Sequence, residues 1–152
     1  MNEEIKVVEQ PKMNTLSIRT RTKVEDLPKI IGKTYMEIME YMNTVGAQPI
    51  EAPFTAYYNL DMNDLDVEMG FPVQKAFEGK GEIAAKELPS CKAVTYMFKG
   101  AYSAMSSVYE EIFKFMEEKG LKATGVYYEY YYNSPMEVPE SELLTKIVMP
   151  LV

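Results

Sequence analysis

The residues whose types and spacing suggest chemistry lie in one short aromatic segment, residues 125–133. It reads GVYYEYYYN and places one carboxylate, Glu129, within a run of tyrosines. Because side chains alternate along a β-strand, Tyr127, Glu129 and Tyr131 would share one face. A carboxylate among aromatic rings would have a raised pKa through desolvation, and it would attract cations or exchange protons. The alternative is a solvated charge on an exposed face, but the flanking aromatic residues favour the first interpretation.

The residue types that the sequence lacks narrow the chemistry. It contains no histidine and one cysteine, Cys91, which excludes histidine-dependent nucleophilic catalysis and the common zinc sites. The acidic stretch 61–68 resembles a calcium loop, but Asp66 and Pro72 stand where such a loop requires glycine and glutamate. We therefore predict a solvated turn there, and neither a metal nor a cofactor.

Composition and charge predict a globular protein without nucleic-acid affinity. The 152 residues are 47% hydrophobic and 26% charged, which suits a single domain spanning residues 1–152. A net charge of −7 argues against direct nucleic-acid binding, which needs basic surface. We expect no membrane association, because every apolar run is far shorter than a membrane-spanning helix requires. A single cysteine and no signal-like N-terminus predict a cytoplasmic location.

The sequence contains an internal repeat, in which residues 4–73 correspond to residues 82–151. YMEIMEYMNTVG, which begins at Tyr35, aligns with YEEIFKFMEEKG, which begins at Tyr109, and the offset is therefore 74. At both ends of the repeat the offset is 78. A unit of this length predicts a duplicated module in one pseudo-symmetric domain, with a groove between its halves. At the offset of 74 the counterpart of Glu129 is Thr55, so the two halves differ at this position.

Each half of the repeat has the hydrophobic pattern of a strand, a helix and two further strands. The predicted strands are residues 14–22, 54–60, 65–73, 93–99, 124–133 and 143–151, and the predicted helices are residues 27–43 and 103–119. We therefore predict an α+β fold of duplicated βαββ units, with about eight antiparallel strands related by a pseudo-two-fold axis. Both helices would pack on one sheet face, which would leave the opposite face for a ligand cleft.

Three motifs carry a resemblance to a known family. They are DVEMGFPV at 66–73, YxEYYxNSP at 127–135 and the tail LLTKIVMPLV. Together they resemble the GyrI-like small-molecule-binding family, the effector-binding domain of AraC-type and BmrR-type multidrug regulators. The resemblance implies a central cleft that binds cationic or lipophilic aromatic compounds. It also implies a buried acidic residue on a late strand, which Glu129 matches by position.

Our first hypothesis is a stand-alone binding module for lipophilic, cationic aromatic compounds, acting in drug sensing or sequestration. Planar rings would stack on Tyr127, Tyr131 and Tyr57, and Glu129 would neutralise positive charge. The other candidate ligand-binding residues are Thr55, Arg19, Met36, Met97 and Phe71. Among these, Arg19 would either bridge to a groove carboxylate or face solvent.

Two rival hypotheses follow from the same resemblance. Some stand-alone relatives resemble hydrolases of cyclopropane-containing genotoxins, and in such an enzyme Glu129 would be the catalytic general acid or base. The other rival is an interaction protein similar to a gyrase inhibitor, whose acidic surface would contact a topoisomerase or a regulator. Turnover of a strained electrophile would identify the hydrolase, and binding to a topoisomerase subunit would identify the inhibitor.

Overall fold

The computed structural model describes residues 5–152. Residues 1–4, including Glu4 at the predicted start of the repeat, lie outside the described residues. The described chain forms eight strands and two α-helices, and every strand pairing given below is antiparallel, so the α+β fold predicted from the sequence is confirmed. By contacts the described chain divides into two units, one of residues 11–90 and one of residues 5–10 with 91–152.

The unit of residues 11–90 contains α1 and four strands in the order β3-β4-β2-β5. Its elements are β2 (Met13–Thr22), α1 (Leu27–Val45), β3 (Phe54–Tyr57), β4 (Leu65–Val73) and β5 (Ala84–Leu88). Apolar residues recur on one side of α1, and Ile38 and Met42 pack there against Leu16, Ile18 and Phe71 of the sheet. This face of the sheet is therefore buried beneath α1.

The unit that includes residues 91–152 contains α2 and four strands in the order β1-β6-β8-β7. Its elements are β1 (Lys6–Gln10), β6 (Cys91–Lys99), α2 (Met105–Lys119), β7 (Tyr127–Tyr131) and β8 (Leu144–Pro150). Ile112 and Met116 of α2 pack against Val94, Ile147 and Met149 of the sheet.

Within residues 5–152, no helix combines the length and apolar character that a membrane crossing requires.

The outer strand of each unit comes from the other sequence repeat. Strand β1, from the first repeat, pairs with β6, and β5, from the second repeat, pairs with β2. The boundaries between the contact units therefore fall at residues 11 and 91, whereas the repeats were predicted to begin at residues 4 and 82.

Two asparagines explain why β3 and β7 end earlier than the sequence pattern predicts. The Asn59 side chain donates to the carbonyl of Asp64 (3.1 Å) and accepts from the Asp66 amide (3.1 Å). Asn133, its repeat counterpart, donates to the carbonyl of Glu142 (3.0 Å) and accepts from the Leu144 amide (2.9 Å). In each case side-chain bonds replace the backbone ladder, so the strand ends before the asparagine.

Both helices end at a glycine in the left-handed conformation, with φ of 75° at Gly46 and 69° at Gly120. We expect Gly120→Ala to lower the free energy of unfolding by about 1 kcal/mol, because a Cβ is strained at this φ. Gly32 is a matched control, since it lies inside α1 with open space around the added Cβ. Gly32→Ala should raise the stability by about 0.5–1 kcal/mol. Urea denaturation measures the stability of both variants. Stability changes of the same sign would contradict the assignment of a left-handed conformation to Gly120.

Candidate functional site

Strand β7 presents the predicted carboxylate on the sheet face that carries α2. In the β7–β8 register Glu129 lies opposite Ile147, and Tyr131 lies opposite Thr145. Residues directly opposite one another in an antiparallel pair share a face, and Ile147 packs in the core beneath α2. Glu129 and Tyr131 therefore project toward the helix side, as does Tyr127 by alternation.

Two tyrosine hydroxyls hold the Glu129 carboxylate. Tyr109, from α2, donates to Oε2 at 2.6 Å, and Tyr131, from the same strand, donates to Oε1 at 2.7 Å. The glutamate is half-buried, so its exposure is lower than that of a solvated surface charge. The structure confirms that this carboxylate lies among aromatic side chains.

Aromatic rings extend around the carboxylate in two groups. Tyr109, Phe113 and Tyr127 pack mutually, with ring centroids 5.7–6.3 Å apart. Tyr102 packs edge-on against Tyr131 at 5.9 Å. We call this set the Glu129 cluster, and it comprises Glu129, Tyr102, Tyr109, Phe113, Tyr127 and Tyr131.

The carboxylate of Glu129 affects the pKa of Tyr102, one of the tyrosines in the cluster. Burial raises the pKa of the Tyr102 hydroxyl above its usual value, and the nearby carboxylate of Glu129 raises that pKa further. Tyr102 is nevertheless 41% exposed, and Phe113 is 37% exposed. The cluster thus combines a carboxylate, tyrosine hydroxyl groups and aromatic surface open to solvent.

The opposite face of β7 lies beside a positive charge, the ammonium group of Lys146. Tyr128 and Tyr130 stack there with centroids 6.4 Å apart, and the Lys146 ammonium lies 5.0 Å from the Tyr130 ring centroid. Tyr132 is also within cation–π range of Lys146, at 5.9 Å. The tyrosines of this segment therefore lie beside the Lys146 ammonium group on one face of β7 and beside the Glu129 carboxylate on the other.

The first repeat retains the helix tyrosine of the cluster and loses its carboxylate. Tyr35 of α1 forms a hydrogen bond with Thr55 of β3, with 3.1 Å between their side-chain oxygens. By sequence offset these residues correspond to Tyr109 and Glu129, so the same helix-to-strand contact occurs in both units. The units differ in the strand residue, as the sequence comparison predicted.

The other predicted ligand-binding residues have different environments. In the unit of residues 11–90, Tyr57 is half-buried, Met36 is 65% exposed, and Phe71 lies in the core against Tyr35. In the other unit, Met97 is half-buried and pairs across the sheet with Lys146, so it lies away from the Glu129 face. Of the predicted residues, Tyr127 and Tyr131 are the two that the structure brings to Glu129 in its own unit.

Arg19 belongs to a surface ion-pair network formed by the acidic turn. It donates two hydrogen bonds to Asp66, at 2.8 and 2.9 Å, and its guanidinium lies 3.7 Å from the Tyr58 ring centroid. Arg21 pairs in the same way with Asp64. Hydrogen bonding from Arg19 lowers the pKa of Asp66 below its usual value despite some desolvation. The two aspartates therefore serve as partners of arginines.

The position of Glu129 corrects one inference from the sequence. We expected both helices on one face and the ligand cleft, with Glu129 in it, on the other. In the structure the carboxylate lies on the helix-bearing face of its unit, since α2 supplies Tyr109 to it. The sequence analysis identified Tyr109 only as the first residue of a helix segment aligned between the two repeats.

The sequence analysis also missed a fully buried carboxylate, Glu68 of β4, which is 1% exposed. It accepts hydrogen bonds from Tyr58 (2.6 Å) and Ser17 (2.9 Å), and Lys86 lies 2.9 Å from Oε2. These hydrogen bonds outweigh desolvation, which acts in the opposite direction, and they lower the pKa of Glu68 below its usual value. We call these four residues the Glu68 network. Its carboxylate already has an internal cation.

Solved structures of three proteins share the fold at low sequence identity. EcmrR in a DNA complex matches with a TM-score of 0.87 at 23% identity, over 97% of this chain and 57% of EcmrR. The isolated EcmrR C-terminal domain matches with a TM-score of 0.81 at 21% identity, over 98% of this chain and 97% of that domain. This chain therefore spans a little over half of EcmrR.

The other two proteins match along nearly their whole length. A hydrolase from Listeria innocua has a TM-score of 0.73 at 14% identity, over 98% of this chain and 92% of the hydrolase. SAV2435, solved with bound tetraphenylphosphonium, has a TM-score of 0.65 at 11% identity, over 99% of this chain and 94% of SAV2435.

No curated protein sequence matches the chain. The family model of the GyrI-like small molecule binding domain, in contrast, matches residues 3–152, nearly the entire sequence. This match agrees with the α+β fold and with the three motifs noted above. The chain belongs to the GyrI-like small-molecule-binding domain family.

Proposed function

We propose that this domain binds lipophilic organic cations that carry aromatic groups, and that the Glu129 cluster is the binding site. The observation that carries the proposal is the half-buried carboxylate of Glu129, held by the hydroxyls of Tyr109 and Tyr131 among aromatic rings. A charged acceptor in such an environment favours a cationic ligand, because a neutral ligand would displace water from the charge without compensating it.

The two hydroxyl donors strengthen this argument. They orient the carboxylate and satisfy one lone pair on each oxygen without adding positive charge. The surrounding rings provide flat apolar area, and each ring face adds attraction for a cation of about 0.5–2 kcal/mol.

The comparisons support the same ligand class and suggest two roles. SAV2435, which shares the fold, was solved with tetraphenylphosphonium, a lipophilic cation with four phenyl rings. EcmrR, of which this chain matches 57%, was solved in complex with DNA. We propose that this chain either supplies the ligand-binding part of a ligand-sensing regulator or sequesters ligand by itself. Its net charge of −7 favours a domain that does not itself contact nucleic acid.

The proposal is tested with a ligand pair that differs in charge alone. 1-Naphthylmethyltrimethylammonium and 1-neopentylnaphthalene have the same shape, since a quaternary nitrogen replaces a quaternary carbon. We expect isothermal titration calorimetry to show about tenfold tighter binding of the cation, which corresponds to one favourable contact with a desolvated charge. Equal affinities, or tighter binding of the hydrocarbon, would overturn the proposal.

A hydrolase is the second candidate function, because a carboxylate and two hydroxyls converge at one point. Glu129 would accept a proton from a water molecule as the water oxygen attacks an electrophilic carbon, and a tyrosine hydroxyl would donate a proton to the leaving group. The Listeria innocua hydrolase shows that the fold is found among enzymes. Incubation with a cyclopropane-containing aromatic electrophile, followed by mass spectrometry for the hydrated product, tests this function directly.

A further inference from the structure

Thr145 of β8 carries a buried hydroxyl group for which no hydrogen-bond partner is found among the protein groups of residues 5–152. The residue is 0% exposed. A buried hydroxyl without a partner destabilises the folded state, and such groups are rare in folded proteins. Thr145 therefore requires an explanation.

The register of the sheet places Thr145 beside the Glu129 cluster. It lies directly opposite Tyr131 on β7, and Glu129 is its diagonal neighbour on the same strand. Cβ atoms of directly opposite residues are about 4.5–5.5 Å apart, and diagonal neighbours about 7–8 Å. On its other side Thr145 pairs with the buried residue Phe98. Thr145 is thus the cross-strand neighbour of the tyrosine whose hydroxyl donates to one oxygen of the Glu129 carboxylate.

The first repeat shows that the fold does not require a polar residue at the position of Thr145. At the offset of 78, which aligns the two C-terminal strands, the counterpart of Thr145 is Val67. Val67 is fully buried in an apolar cluster with Leu65 and Met69. Valine has the same branched shape as threonine, so the second repeat carries a hydroxyl where the first has a methyl group.

We propose that the Thr145 hydroxyl is a second polar contact of the Glu129 cluster and that it selects ligands with an N–H donor, such as primary and secondary ammonium ions, over quaternary cations. The inference rests on the proposed function. When the Tyr131 side chain moves aside, it uncovers Thr145 and frees a lone pair on Glu129 at the same time. An ammonium group then donates one hydrogen bond to the carboxylate and one to Thr145 Oγ1, whereas a quaternary cation can donate neither.

The test compares 1-naphthylmethylammonium with 1-naphthylmethyltrimethylammonium on the wild-type chain and on two variants. Thr145→Val should weaken the primary ammonium about three- to tenfold, the effect of one hydrogen bond, and leave the quaternary cation unchanged. Thr145→Val should also raise the Tm by about 2–4 °C, because an unsatisfied polar group is removed. Thr145→Ser retains the hydroxyl and should preserve the selectivity.

Each contrary result has a distinct meaning. Equal weakening of both cations by Thr145→Val, or no weakening of either, would overturn the assignment of Thr145. A lower Tm for Thr145→Val would also overturn it, because the hydroxyl would then be satisfied within the fold. If the wild-type chain binds both cations no more tightly than 1-neopentylnaphthalene, the proposed function itself fails.

Discussion

Glu129→Gln should weaken the binding of 1-naphthylmethyltrimethylammonium by about 1–3 kcal/mol and leave 1-neopentylnaphthalene nearly unaffected. Glutamine has the size of glutamate, and its amide oxygen can still accept a hydrogen bond from one of the two tyrosines, while the amide nitrogen can donate to the hydroxyl oxygen of the other. The substitution therefore removes the charge while the stacking surface stays in place. Titration calorimetry on both ligands measures the difference directly.

A matched control separates the loss of the Glu129 carboxylate from the change in the net charge of the chain. Glu111 lies on the exposed side of α2, so Glu111→Gln changes the net charge of the chain equally without altering the cluster. The cation should bind this variant as it binds the wild-type chain. Equal losses for both ligands in Glu129→Gln would show that Glu129 has a structural role, and no loss for either would remove it from the site.

The same substitution also separates binding from hydrolysis. Glutamine cannot accept a proton from water, so a hydrolase that uses Glu129 as a general base should lose turnover whatever the charge of its substrate. A binding domain would instead lose affinity for cations alone. Turnover that persists in Glu129→Gln would exclude Glu129 as the catalytic base.

Glu68→Ala should destabilise the unit of residues 11–90 by about 3–5 kcal/mol, because it leaves Lys86, Tyr58 and Ser17 without their shared acceptor. Glu68 is buried between strands, and a smaller residue also leaves a cavity. Denaturant unfolding measures the loss. Glu87→Ala on β5 is the control, since Glu87 is exposed and its removal should change stability by less than about 0.5 kcal/mol.

The Glu68 network should also make stability depend on pH. The pKa of Glu68 is lowered in the folded chain, so its contribution is complete above the pKa of the unfolded chain, about 4.3. The contribution is lost as the pH falls through the lower folded value. The stability gap between wild type and Glu68→Gln should therefore be constant near neutral pH and close below about pH 4. A gap that stays constant in acid would show that the Glu68 charge does not contribute to stability.

Local sequence patterns were enough to predict much of the fold. Alternation and helical periodicity predicted both helices and six of the eight strands in residues 5–152, since these patterns reflect burial of one face of each element, but they did not predict the outer strands β1 and β5. The internal repeat identified the paired tyrosines, Tyr35 and Tyr109, and the exchange of Thr55 for Glu129. The motif resemblance named the family that the match over residues 3–152 then confirmed.

Only the tertiary structure decided which groups surround the carboxylate. Alternation along β7 predicts that Tyr131 shares a face with Glu129, but it does not say whether that face meets a helix or solvent. The partner from α2, Tyr109, is distant in sequence and reaches Glu129 only through packing of the helix on the sheet. The buried Thr145 hydroxyl and the Glu68 network depend in the same way on register between strands distant in sequence. The sequence by itself therefore determined most of the secondary-structure elements and the position of Glu129 on β7. Packing determined the partners of Glu129, because a contact between two elements leaves no periodic pattern in the sequence of either element.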